Sequence, residues 1–151
     1  MTSIAEVIAF HYQQIPGIQS STAKAPRSMV NAGLPMAVVF PRASTYEPDG
    51  SGQAEQYREW EAVLFLQKAE DGVEGQFYDT GEEFREELVP NYFLARPGLA
   101  TNEGPNVVLD AQFLGEDGFG LREYPQGSGQ WYVAIGFRHR TNRTFTFNYQ
   151  D

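Results

Sequence analysis

Two histidines, His11 and His139, the glutamates Glu82, Glu83, Glu86 and Glu87, and Ser128 in a glycine-rich stretch are the side chains here whose types suit catalysis or metal binding. The imidazoles stand far apart in the chain and no motif links them, so they form neither a triad nor a metal pair. Each sits beside an apolar stripe: His11 in a predicted helix, His139 in a predicted strand with Val133, Ile135 and Phe137. That is the setting of a satisfied, partly buried histidine. The glutamates supply carboxylates at i and i+4, a spacing found in carboxylate-bridged metal sites. Such sites draw matching Glu and His ligands from other helices, and only two helices are predicted. Gln126-Gly127-Ser128-Gly129-Gln130 lacks the spacing of a nucleophile elbow. Gly115, Gly118, Gly120, Gly127 and Gly129 do not follow a strand and open a helix, so they read as turn glycines and not as a dinucleotide loop. The absence of cysteine removes thiol nucleophiles, thiolate metal sites and disulfides together. No catalytic residue, cofactor site or metal site is expected.

The elements that would have to position these side chains can be read in order. Ser3 with Glu6 makes a capping-box pattern, and Ile4, Val7, Ile8, Tyr12 and Ile15 recur at helical spacing, predicting a helix over 3–15 that Pro16-Gly17 ends. A short strand is expected at 18–23, loop or a single turn at 25–34, and a buried strand at 36–40. Residues 42–56, polar and holding Pro48, Gly50 and Gly52, read as a long loop. Residues 58–69 read as an inner strand, followed by a turn at Asp71-Gly72. A second helix is predicted from Thr80 to about Val89, stopped by Pro90, with a possible continuation at 91–95 beyond a kink. Residues 97–105 read as loop. The stretch 110–141 reads as strand, glycine-rich turn, short strand, second turn and a long aromatic strand. This predicts one α+β domain with a mainly antiparallel sheet, an N-terminal helix, a second acidic helix and a C-terminal β-meander. Ile4, Ile8, Val38, Phe40, Leu64, Leu66, Phe84, Leu88, Val133 and Ile135 are the expected core.

Composition agrees with one folded domain: 151 residues and 41% hydrophobic content suit an ordinary core. No apolar run approaches the roughly 20 residues of a membrane-spanning helix. The first residues lack a basic n-region and hold Glu6, so no signal peptide is expected; the Asn142-Arg143-Thr144 sequon then carries no weight. The net charge is −9, and it is unevenly spread. Residues 47–91 hold thirteen acids against Arg58, Lys68 and Arg85, a local net of −10, while the rest holds seven acids and eight bases. Two readings fit, a solvated solubilising face or an acidic surface that meets a basic one on a neighbour. Either disfavours tight binding to phosphate backbones.

The last segment is organised differently. After Thr141-Asn142, the aromatics Phe145, Phe147 and Tyr149 alternate with Thr144, Thr146 and Asn148. Residues 1–142 are therefore read as the α+β domain and 143–151 as a terminal strand. It either folds back on its own sheet or adds to the sheet edge of a neighbouring subunit. In the second case Arg138, Arg140, Arg143, Phe145, Phe147 and Tyr149 form the subunit interface, and Glu82, Glu83, Glu86 and Glu87 an acidic surface.

This order of elements resembles the tail terminator (tail completion) proteins of long-tailed phages and the related parts of gene transfer agent particles. Residues 34–41, 59–67 and above all 119–137 carry the likeness. The 42–56 segment and the aromatic C-terminal stretch depart from it. The resemblance implies a structural, non-enzymatic virion protein, without cofactors, assembled in the host cytoplasm and placed in the tail neck. It implies a homohexameric ring that caps the tail tube protein and presents a surface to head-completion or connector proteins. DNA would pass through the lumen without tight binding, and no membrane is involved. The alternatives are a tail tube or head-tail joining subunit and, from a different class, a small α+β enzyme or ligand-binding domain.

Overall fold

The Oγ of Ser3 accepts a hydrogen bond of 3.2 Å from the Glu6 amide, which is one half of the expected capping box. Helix α1 follows at Ile4–Gln13 and buries Val7, Ile8 and Tyr12, with Ile15 just beyond its end. The computed structural model describes residues 3–29, 33–69, 81–101 and 104–147. The expected turn at Asp71-Gly72 and the expected cap at Thr80 lie outside those residues.

Six strands follow: β1 (Ser20–Thr22), β2 (Met36–Pro48), β3 (Gln53–Lys68), β4 (Gly98–Thr101), β5 (Gly104–Glu123) and β6 (Trp131–Thr146). They form one sheet in the order β1-β2-β3-β6-β5-β4. Only the β1/β2 pairing is parallel; every other pairing is antiparallel. The fold is mostly β, one curled mixed sheet with few helices. A single α+β domain on a mainly antiparallel sheet is met in outline, with more strand than expected.

Several expectations are corrected. Residues 42–56 are not a loop. Strand β2 continues to Pro48 and β3 starts at Gln53, joined by a tight turn in which Gly50 and Gly52 adopt φ of 83° and the Asp49 carboxylate accepts from the Ser51 amide at 2.9 Å. The strand is exposed from Arg42 to Pro48, so burial imposes no apolar alternation on it. Pro41 sits where the β2/β3 register breaks, a place where a ladder donor is dispensable. The stretch 97–105 holds β4 and the start of β5. The first glycine-rich turn of the expected meander is absent: β5 runs through Gly115, Gly118 and Gly120 with register shifts at 113–115 and 116–119, so Gly115 and Gly118 mark bulges while Gly120 pairs regularly with Ala134. The second helix does not stop at Pro90. A π-helical turn, Phe84–Leu88, leads into α2 at Val89–Leu94, and the wider turn places Pro90 where its missing N–H and ring do no harm.

The sheet has two faces. One packs under α1 and α2 and holds Val39, Trp60, Ala62, Leu64, Ile135 and Phe137. The other holds a smaller cluster of Met29, Val38, Val63, Phe65, Tyr124 and Tyr132. Of the expected core, Ile8, Val38, Leu64, Leu66, Phe84, Val133 and Ile135 are buried, while Ile4, Phe40 and Leu88 are partly buried at the edges of these clusters. Each fully buried large side chain contributes roughly 1.5–3 kcal/mol.

Candidate interaction surface

Beyond the helices, β2, β3 and β6 run on together as a three-stranded arm. Thr45, Tyr46, Glu47 and Pro48 pair with Tyr57, Gln56, Glu55 and Ala54. Those β3 residues pair in turn with Asn142, Arg143, Thr144 and Phe145 of β6. The expected boundary at 142/143 therefore falls inside β6. The described part of the terminal segment is the third strand of this chain's own arm, and the Phe147 amide donates to the Gly52 carbonyl at 2.9 Å.

The two faces of the arm differ, because strand residues alternate. On the face continuous with the helix side, Gln56 is only 6% exposed although it lies on an arm. Its amide nitrogen donates to Tyr46 Oη at 2.9 Å and to Ser44 Oγ at 3.3 Å, and its amide oxygen accepts from Arg143 Nε. Tyr46 meets Phe145 edge-on at 5.6 Å between centroids, and the Arg143 guanidinium lies 5.9 Å from the Phe145 centroid. Arg58 lies 4.3 Å over the Trp60 ring, whose Nε1 donates to Thr141 Oγ1 at 3.1 Å. One glutamine thus fixes an exposed tyrosine and an arginine, and the exposed Phe145 stands beside them.

The opposite face is a polar ladder. Arg138 Nη2 donates to both Glu59 carboxylate oxygens at 3.0 Å. Arg140 donates to Gln112 at 2.7 Å and lies over Tyr57, while Thr144 donates to Glu55 at 2.9 Å. Further in, Arg122 pairs with Glu61 at 3.0 Å, and Arg42 reaches both Glu61, at 3.6 Å, and Asp117. The bond to Asp117 holds the Arg42 guanidinium above its ordinary pKa, with the Asp117, Glu61 and Glu59 charges adding to it. Arg42 and Asp117 lie on β2 and β5, three strand spacings apart, or about 14 Å on a flat sheet. Their contact requires this face to be concave. Gly136 makes room for it, since a Cβ there would stand 3.1 Å from Glu61 Oε2.

The six expected interface residues are therefore not brought together. Arg143 and Phe145 share one face of the arm, Arg138 and Arg140 lie on the other, Phe147 follows the end of β6, and Tyr149 lies outside the described residues. Glu82, Glu83, Glu86 and Glu87 are all exposed along the helical stretch 81–94, but Arg85 pairs with Glu82 at 2.8 Å and with Glu116, so the acidic face is partly neutralised. Sequence reasoning missed Gln56 and Tyr46. Residues 42–48 are exposed throughout, so no alternation of polarity marked Tyr46.

Both histidines are structural partners. His11 Nε2 donates to the Ala100 carbonyl at 2.6 Å, which leaves Nδ1 to accept from Tyr92 Oη at 2.6 Å. Burial lowers its pKa, against the raising effect of that carbonyl. His139 is 1% exposed, and burial pushes its pKa down to about 3. Among the described residues, no three His, Asp or Glu side chains are grouped so as to hold a metal ion. No protein-family model matches this chain, and no curated protein matches it.

Proposed function

We propose that this chain is a structural assembly subunit of a phage-type particle: a tail terminator that closes into a homohexameric ring at the neck of the virion. The ring stops growth of the tail tube, meets the head-completion proteins and lets DNA pass through its lumen without binding it tightly. It uses no cofactor and no catalytic residue. The single observation that supports this reading best is the three-stranded arm. Tyr46 and Arg143 are held by hydrogen bonds to Gln56 and, with Phe145, remain exposed, as a surface that receives a partner would be. Tyr and Arg held in this way are the residue types that dominate binding at protein interfaces. The acids of residues 47–91 supply the excess negative charge that keeps DNA mobile past the ring wall.

Sedimentation velocity and negative-stain electron microscopy of the full chain, over a wide concentration range, test the reading. Six-fold rings are expected. Open-ended tubes would identify a tube subunit instead, and a protein that stays monomeric throughout would overturn the proposal. Sub-micromolar, salt-sensitive DNA binding at low salt would contradict the lumen role.

A further inference from the structure

We infer that the helix-side face of the arm is the docking surface for a second copy of this chain, and that it receives that copy's acidic helical face. The inference rests on the self-assembly reading above and specifies which surfaces meet.

Three observations lead to this contact. First, the residues alternating on this face, from Ser44 to Pro48, Ala54 to Trp60 and Thr141 to Phe145, include Arg58 and Arg143 and no carboxylate. Neither arginine is ion-paired to a carboxylate among the described residues, whereas Arg42, Arg85, Arg122 and Arg138 all are. Second, Tyr46 is 50% and Phe145 37% exposed, and Gln56 already holds Tyr46 and Arg143 in place, so little side-chain freedom is lost on docking. Third, the chain carries its own complement. Glu83 and Glu87 are exposed on the helical stretch and have no ion pair among the described residues.

The spacings also match. Arg58 and Arg143 are diagonal neighbours across β3 and β6, since Arg58 pairs with Thr141, which puts them about 7–8 Å apart. Glu83 and Glu87 lie four residues apart across the π-helical turn, close to one turn of the helical stretch and so on one side of it, a separation that long side chains fit to the arginine pair. Arm and helix are different surfaces of one molecule, so a head-to-tail contact between them generates a ring if the rotation closes.

Two charge-reversed variants of the full chain test this by sedimentation velocity, with circular dichroism to verify folding. Arg58→Glu/Arg143→Glu spoils the arm, and Glu83→Lys/Glu87→Lys spoils the helix. Each alone should associate at least tenfold more weakly than the native chain. An equimolar mixture should associate again, because one partner keeps a native arm, the other a native helix, and the reversed surfaces complement each other. Native-like association of either variant alone, or a mixture that stays apart, overturns the contact while leaving the ring reading intact. A native chain that never associates overturns both. Retention of a single-stranded oligonucleotide that Arg58→Glu/Arg143→Glu abolishes, with self-association unchanged, would assign the face to nucleic acid and also overturn the inference.

Discussion

The hydroxyl of Tyr12 and Nε2 of His139 share a hydrogen bond of 2.6 Å between the first helix and the last strand, 127 residues apart in sequence. Phe93, Phe113 and Phe137 enclose the pair: Phe93 is 4.6 Å and Phe113 5.4 Å from the imidazole centroid, and Phe137 is 6.3 Å from the tyrosine ring. Neither polar group reaches water, so each depends on the other. The tyrosine pKa is raised well above its ordinary value by the same burial.

The pair makes stability depend on pH. His139 is neutral when folded, with a pKa of about 3, and titrates near 6.5 when unfolded. The unfolded state therefore binds the extra proton, so stability is complete above about pH 6.5 and falls as pH drops toward the folded value. Between pH 7 and 4.5 the loss should be about 2–3 kcal/mol for this group; His11, also lowered, adds to it in the same direction. Urea unfolding at several pH values measures the slope, and His139→Leu should flatten it.

Tyr12→Phe removes one partner and leaves the imidazole buried without its hydrogen bond. A loss of about 1–3 kcal/mol is expected, visible as a lower denaturant midpoint with an unchanged slope. The double variant Tyr12→Phe/His139→Leu should cost less than the two single losses added together.

Gln56→Ala should act locally. It releases Tyr46 and Arg143 from their hydrogen bonds but leaves the two hydrophobic clusters untouched. Hydrogen exchange should accelerate in the arm, at residues 44–58 and 141–146, with the exchange of Leu64 and Ile135 unchanged. Uniform acceleration across the sheet would contradict a locally organised arm.

Gly136 tests the concave face. A Cβ there meets a flexible carboxylate end at 3.1 Å and the Asp117 carbonyl at 3.5 Å, so Gly136→Ala should be mild. Gly136→Val should displace Glu61 from Arg122 and cost about 1–3 kcal/mol. Thermal unfolding of the two variants, read side by side, checks the ordering.

Removing residues 143–151 strips the third strand from the arm, because Arg143–Thr146 pairs with Gln53–Gln56, yet Trp60, Phe137 and the helix contacts remain. A folded core of reduced stability is expected, with native near-ultraviolet dichroism and no self-association. Complete unfolding would mean that the arm's third strand is required for the core.

Elements whose residues face a core were legible in the sequence. Helix α1 was readable from Ser3, Glu6 and one apolar stripe, and β3 from its alternation around Leu64. The arm was not, since a strand open on both faces carries no burial pattern, and Pro41, Pro48 and Gly50 weighed toward a loop. The bulge glycines of β5 were read as turn glycines for a similar reason: positive φ is needed in both settings, and sequence does not say whether the chain reverses. Gln56 was invisible because its role depends on three strands meeting. A lone polar residue has no period to betray it.

The Arg42–Asp117 bridge spans the sheet from β2 to β5. Both side chains are well exposed, 40% and 35%, so pairing them adds little to the free energy of folding. What it marks is curvature: the pair can close only while β2 and β5 curl toward each other, so it reports the bend of the sheet without supplying it. Salt that screens the pair should leave the hydrophobic clusters, and with them the bend, intact.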